Sequence, residues 1–132
     1  MELLKQLCSI HAPSGEEYRM KDFLLEYIYE RKNRWVAQPE ILVGGELQDS
    51  IVLVFGRPRT AIYAHMDSVG YTVKYNKELI RIGGSMIKEG ILLKGVDCFG
   101  NVTCTTKILK REGDDDILNY ESDRDIERGT SL

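Results

Sequence analysis

Residues 60–71 have the sequence TAIYAHMDSVGY, and this stretch decides how the rest of the chain is interpreted. The apolar run over residues 60–64 predicts a buried strand, and His65, Met66 and Asp67 follow directly at its end. Alternate residues of an extended chain point to the same side, so His65 and Asp67 are expected to share one face. Because α/β sheets present functional groups at their strand ends, these two side chains are the first candidates for chemistry.

The pair formed by His65 and Asp67 suits a metal site. A neutral imidazole nitrogen is a good ligand for Zn²⁺ or Co²⁺, and a neighbouring carboxylate can hold the ring in place and raise its basicity. A histidine that merely lies beside an acid on the surface would give the same tripeptide, because such short motifs recur by accident. The tripeptide alone therefore leaves both interpretations open.

Two helices are predicted before this stretch. Apolar residues repeat on one helical face over residues 3–8, and Pro13 disfavours helix in the residue before it, which indicates a short first helix. Ser14 and Glu17 have the spacing of a capping box, which predicts the start of a second helix. The apolar positions of this second helix keep the spacing of a helix laid on a core: Met20, Phe23, Leu24, Tyr27 and Ile28.

After Pro39 the pattern changes to short β-rich runs separated by glycine. Residues 51–55 and 60–64 are predicted to be neighbouring strands, paired as a hairpin across a turn-like segment. Further strands are predicted at residues 71–75, 79–82, 91–93 and 102–109, the first two as a second hairpin. The acidic segment from residue 113 to residue 127 is sparsely apolar and is predicted to lie at the surface.

This change of pattern divides the chain near residue 70. With 132 residues, the chain has the length of one ordinary domain or of two small lobes. We expect residues 1–69 to form an α/β part and residues 70–132 to form a small all-β part, with a crossing at residues 68–70.

Composition restricts the partners and the compartment. Hydrophobic residues make up 42% and charged residues 30%, which is typical of a globular protein with a packed core. The 18 Lys and Arg residues against 21 Asp and Glu residues provide no global positive field, so nucleic acid is not an expected partner. The longest apolar run, residues 51–55, is too short for a membrane span, and the N-terminus lacks a signal-peptide pattern, so we expect a cytoplasmic protein without a membrane partner.

Other chemistry-bearing residues are expected to have simpler roles. Cys8, Cys98 and Cys104 lack metal-type spacing and are predicted to be reduced thiols that fill core or half-buried positions. His11 is expected to make a local hydrogen bond. Residues 114–116 (DDD) lack the pattern of an EF-hand loop and are predicted to form a solvated turn.

Three motifs occur in an order that resembles a known family. They are residues 12–15 (APSG) followed by Glu17, residues 64–71 (AHMDSVGY) and residues 82–84 (IGG). Together they resemble the N-terminal part of the M42 family of metallo-aminopeptidases, which includes glutamyl and tetrahedral aminopeptidases. The M20 and M28 families have a similar strand end, but the residues after Asp67 and the later double glycine favour M42.

The resemblance implies a fold, an activity and the roles of two residues. The fold would be part of a mixed α/β catalytic domain, followed by a small barrel-like β insertion domain, incomplete here, that serves homo-oligomer assembly. The activity would be removal of N-terminal residues from peptide substrates at a site with two divalent transition metals, zinc or cobalt. His65 would bind one metal, and Asp67 would be the catalytic residue that orients His65 or tunes its basicity. A metal-activated water would attack the peptide carbonyl, with a glutamate as general base.

The family's other ligands and its general base have no match in this sequence. A catalytic zinc site needs about three protein ligands and a water, so the 132 residues alone are expected to be inactive and to hold at most one metal, weakly. The strands near residues 51–64 are also expected to expose edges or apolar faces unless something covers them. The alternative function is a non-catalytic assembly or protein-binding module in which His65 is a vestige.

Overall fold

The described part of the molecule combines helices with antiparallel sheets. A computed structural model describes residues 2–85, 88–97, 99, 101–110 (Lys110 by its backbone alone) and 118–132. The chain divides into two compact units, Met1–Asp67 and Ser68–Leu132. Helices occur with sheets, so the predicted α/β composition is confirmed.

Two helices and a β-hairpin make up the first unit. The helices α1 (Glu2–Ser9) and α2 (Tyr18–Arg31) agree with the two predicted helices, and α2 buries Met20 and Ile28 of its predicted apolar face. Strand β1 (Glu40–Val43) pairs antiparallel with β2 (Ile51–Val54). Short 3-10 turns in the chain lie at Lys32–Arg34, Gly45–Leu47 and Tyr75–Lys77.

The predicted strand at residues 60–64 is wrong, and so is its hairpin with residues 51–55. Strand β2 pairs with β1 instead, and residues 60–64 belong to no strand. Ile62 and Tyr63 are 95% and 90% exposed, and Phe55 is also exposed, which confirms the prediction that this region presents apolar surface. An extended segment is held as a strand only when a neighbour supplies hydrogen bonds to its backbone, and apolar composition cannot replace that neighbour.

Five antiparallel strands make up the second unit. They are β3 (Gly70–Val73), β4 (Glu78–Ile82), β5 (Leu92–Val96), β6 (Val102–Lys110) and β7 (Leu118–Ser122), in the spatial order β3-β4-β7-β6-β5. The predicted hairpin of residues 71–75 and 79–82 is confirmed by the pairing of β3 with β4. Strand β7 corrects the prediction of a surface segment, because its Leu118 and Tyr120 are buried.

The core of the second unit lies on one face of this sheet. Its buried members are Tyr71, Val73, Leu79, Cys104, Ile108, Leu118, Tyr120 and Leu132. The main chain of Leu132 exchanges two hydrogen bonds with Tyr71 of β3, at one edge of the sheet. Its side chain reaches Gly95 of β5, at the other edge, where a Cβ atom would lie 3.1 Å from Leu132 Cδ2. The sheet is therefore curled, so that the C-terminal residue contacts both edge strands.

The two cysteines that the structure describes differ in burial. Cys104 is buried as predicted, whereas Cys8 is exposed, which contradicts the prediction for that residue. Cys98 and residues 114–116 lie outside the described residues. Within the described ranges, no helix combines the length and the apolar composition needed to cross a membrane.

Candidate metal-binding site

His65 and Asp67 contact each other directly, as the sequence predicts for residues that share a face. The Nδ1 atom of His65 lies 2.9 Å from the main-chain oxygen of Asp67 and 3.2 Å from its Oδ1. Both neighbours are hydrogen-bond acceptors, so in the neutral ring Nδ1 carries the hydrogen and Nε2 carries the lone pair. The His65 side chain is 86% exposed. The nitrogen that can bind a metal is thus on an accessible ring.

The carboxylate of Asp67 has a second partner from a distant part of the sequence. Ser14 Oγ donates a hydrogen bond to Asp67 Oδ2 at 2.7 Å, across 53 positions of the chain. This hydrogen bond lowers the pKa of Asp67 below its ordinary value; partial desolvation opposes the effect, and the main chain and His65 add to it. Asp67 is therefore ionised at neutral pH and acts as an acceptor for both Ser14 and His65.

The loop between α1 and α2 brings Ser14 to this position. Ala12 and Pro13 are buried, and the Glu16 amide donates to the Pro13 carbonyl at 2.8 Å, which closes a turn. Gly15 has a φ of +96°, a conformation that glycine adopts without steric cost, and its amide donates to Glu17 Oε2 at 2.8 Å.

The predicted capping box is wrong. Helix α2 begins at Tyr18, its N-cap residue Glu17 makes no side-chain capping hydrogen bond, and the Glu17 carboxylate binds the amide of Gly15 instead of Ser14. The Ser14 hydroxyl is directed to Asp67. The sequence motif identified a special turn correctly, but it assigned the hydroxyl to the wrong partner.

His11 lies in the loop between α1 and α2 and contacts the first turn of α2. Its main-chain oxygen accepts a hydrogen bond from Arg19 at 3.4 Å, and Arg19 also forms an ion pair with Glu16 at 3.2 Å. Burial lowers the pKa of His11; Glu16 opposes this effect and Arg19 adds to it. The ring is therefore mostly neutral at pH 7, and the expectation of a purely local role for His11 stays a prediction.

The donor set at residues 65–67 fits one ligand of a metal site and not a complete site. The arrangement, an imidazole whose Nδ1–H is bound by a carboxylate and a carbonyl, is typical of metal-binding histidines. In the described part of the chain, no group of three or more His, Cys, Asp or Glu side chains is placed to hold a metal ion. His65 can therefore bind a metal tightly only with donors from elsewhere.

A pocket of about 320 Å³ in the second unit carries no comparable chemistry. Among its basic side chains, Lys74 pairs with Glu78 at 3.3 Å, Arg124 lies 3.8 Å from Asp123, and Arg128 stacks on Tyr75 and hydrogen-bonds to its hydroxyl. Among the described residues of the candidate site, the hydrogen bond between Ser14 and Asp67 is a contact that the sequence did not predict. The motif at residues 12–15 marked the turn, but nothing local indicates a partner 53 positions away.

Comparison with models of protein families and with curated protein sequences gave no match.

Proposed function

We propose that this chain provides one histidine ligand and its orienting carboxylate to the dinuclear metal site of an aminopeptidase of the M42 type. In this proposal, residues 1–69 are part of a mixed α/β catalytic domain, and residues 70–132 are part of a β insertion domain that serves homo-oligomer assembly in the cytoplasm. The observation that carries the proposal is the state of His65: its Nδ1 is held by Asp67, and the ring is exposed.

Each residue of the pair has a separate task. His65 would hold one Zn²⁺ or Co²⁺ through Nε2, and Asp67 would keep the ring in the orientation and tautomer that present this nitrogen. When bound, the metal supplies Lewis-acid activation of a water for hydrolysis of the peptide bond. The further ligands and the general base would come from polypeptide outside these 132 residues, because the family's other ligands have no match in this sequence and such a site usually needs three protein ligands.

The first test is metal binding by the 132-residue chain. Isothermal titration with Co²⁺ is expected to show one weak site per chain, which His65→Gln abolishes. The chain has two histidines, so His11→Gln is the matched control and is expected to retain binding. Equal binding by the His65→Gln variant would overturn the assignment of His65 as the ligand. Absence of bound metal in a polypeptide that also contains the missing ligands would overturn the proposal and favour the non-catalytic module.

The second test is activity. The purified 132-residue chain is expected to release no N-terminal residue from a peptide in the presence of Zn²⁺ or Co²⁺, because it has too few ligands. A polypeptide that also contains the missing ligands is expected to bind two metals and to hydrolyse peptides, and to lose activity with His65→Gln. Metal-dependent peptidase activity of the 132 residues alone would contradict the ligand count.

A further inference from the structure

The hydrogen bond between Ser14 and Asp67 connects two parts of the first unit that are distant in sequence. Ser14 lies in the loop before α2, and Asp67 follows the exposed segment at residues 60–64. The serine itself is exposed, but the two residues before it, Ala12 and Pro13, are fully buried and fix the loop. An exposed hydroxyl on an anchored loop is a rigid donor for Asp67.

The carboxylate of Asp67 divides its two oxygens between two partners. Oδ2 accepts from Ser14 at 2.7 Å, and Oδ1 lies 3.2 Å from Nδ1 of His65. With one partner alone, a carboxylate on an exposed segment can rotate about χ2, because this torsion has broad minima. With a partner on each oxygen, its plane is fixed, and Oδ1 stays beside the imidazole.

From this arrangement we infer that Ser14 is a positioning residue for His65, acting through Asp67. Nδ1 of His65 has two acceptors, the main-chain oxygen of Asp67 at 2.9 Å and its Oδ1 at 3.2 Å. The Ser14 hydroxyl holds the second of these in place, so that Nδ1 keeps the hydrogen and Nε2 keeps the lone pair. The metal-related part of this inference rests on the proposed function, whereas the effect on the tautomer of His65 does not. Ser14 itself touches no metal and no substrate.

The tautomer of His65 tests the inference without any metal. Nitrogen-15 NMR at about pH 9 distinguishes a protonated Nδ1 from a protonated Nε2. The wild-type chain is expected to hold the Nδ1–H form. Ser14→Ala is expected to shift His65 towards the Nε2–H form that free histidine prefers, and Ser14→Thr, which keeps the hydroxyl, is expected to restore the wild-type spectrum. Assignment uses the His11→Gln variant.

The matched control is Ser9→Ala. The Ser9 hydroxyl donates to the main-chain oxygen of Gln6 at 2.7 Å in the same unit, without contact to Asp67. This variant is expected to leave the His65 tautomer unchanged. A tautomer that is the same in wild type and Ser14→Ala, or one that Ser9→Ala shifts equally, would overturn the inference.

Metal affinity then tests the route through Asp67. Ser14→Ala is expected to weaken Co²⁺ binding about tenfold, the lower end of the range for residues that support a metal ligand. In an Asp67→Ala background the same substitution is expected to have no further effect, because the connecting carboxylate is gone. An equal loss in both backgrounds would refute the route. If the wild-type chain binds no Co²⁺, the NMR result alone decides the role of Ser14, and the proposed function is decided by metal binding of a polypeptide that also contains the missing ligands.

Discussion

Replacing Gly95 by alanine tests the curled sheet of the second unit most directly. A Cβ atom at Gly95 would lie 2.6 Å from Cys104 Sγ, 3.1 Å from Leu132 Cδ2 and 3.3 Å from Thr103 Oγ1. The first distance is far inside van der Waals contact, and Cys104 and Leu132 are both buried core residues that cannot move freely. Overpacking of this kind costs about 1–3 kcal/mol of unfolding free energy.

Urea unfolding followed by circular dichroism measures this cost. With an m-value of roughly 1–3 kcal/mol per molar urea, the midpoint of the Gly95→Ala variant is expected about 1 M below wild type. The matched control is Gly84→Ala, since a Cβ there meets nothing within 4 Å and its φ is not in the left-handed region. Fluorescence of the single Trp35 reports on the first unit and is expected to change little.

A second substitution identifies the atom responsible. Cys104→Ala removes Sγ, so Gly95→Ala is expected to cost less in that background, by about 1 kcal/mol or more. The packing argument would be refuted by a Gly95→Ala variant as stable as wild type. It would also be refuted if the cost were the same with and without Sγ, because the sulfur is the atom that a Cβ approaches most closely.

Three further predictions concern the core of the second unit, the ionised carboxylate of Asp67 and the exposed segment at residues 60–64. Ile108→Ala should lower the unfolding free energy by about 2–5 kcal/mol, because Ile108 is fully buried, whereas Leu92→Ala, at a side chain 65% exposed, should change it by less than about 0.5 kcal/mol in the same urea assay. The pKa of Asp67 in the folded chain lies below its ordinary value of 3.8, so the ionised carboxylate should stabilise the fold fully above pH 3.8. This stabilisation should be lost as the pH falls through the pKa of the folded state, and Asp67→Asn should therefore lose less stability on acidification than wild type. An equal loss in both would contradict the assignment of the lowered pKa to Asp67. Because Ile62 is 95% exposed, Ile62→Ser should leave the unfolding free energy unchanged within about 0.5 kcal/mol and should reduce self-association measured by light scattering. A marked loss of stability would show that the Ile62 side chain is packed.

Local signals in the sequence were sufficient for the helices and for the hairpin of β3 and β4. In that hairpin, Asn76 and Lys77 adopt positive φ between two runs of β-branched and aromatic residues, so the turn and its strands are specified within a dozen positions. Strand β7 was missed although Leu118 and Tyr120 alternate with polar residues, because the acidic composition of the whole segment outweighed that short pattern.

Features that depend on distant partners could not be predicted in the same way. Residues 60–64 have a strand-like composition, but a strand exists only with a neighbour, and the described chain provides none for them. For Ser14, the capping-box spacing indicated a local partner, Glu17. In the structure its hydroxyl instead donates to the ionised carboxylate of Asp67, which is a stronger acceptor and lies 53 positions away. The adjacency of His65 and Asp67 was predicted because it requires only the geometry of an extended tripeptide.

The exposed segment and the incomplete donor set lie next to each other, and one cause would account for both. Ile62 and Tyr63 are almost fully exposed three and two positions before His65, which has Asp67 as its carboxylate partner. A strand added beside residues 60–64 would satisfy their backbone and bury their apolar side chains. Strand ends in such a sheet lie together, so the same addition would place further side chains near Nε2 of His65. The proposed function requires both effects at once, whereas a vestigial histidine requires neither. Burial of Ile62 without any gain in metal affinity at His65 would therefore favour the assembly module over the peptidase.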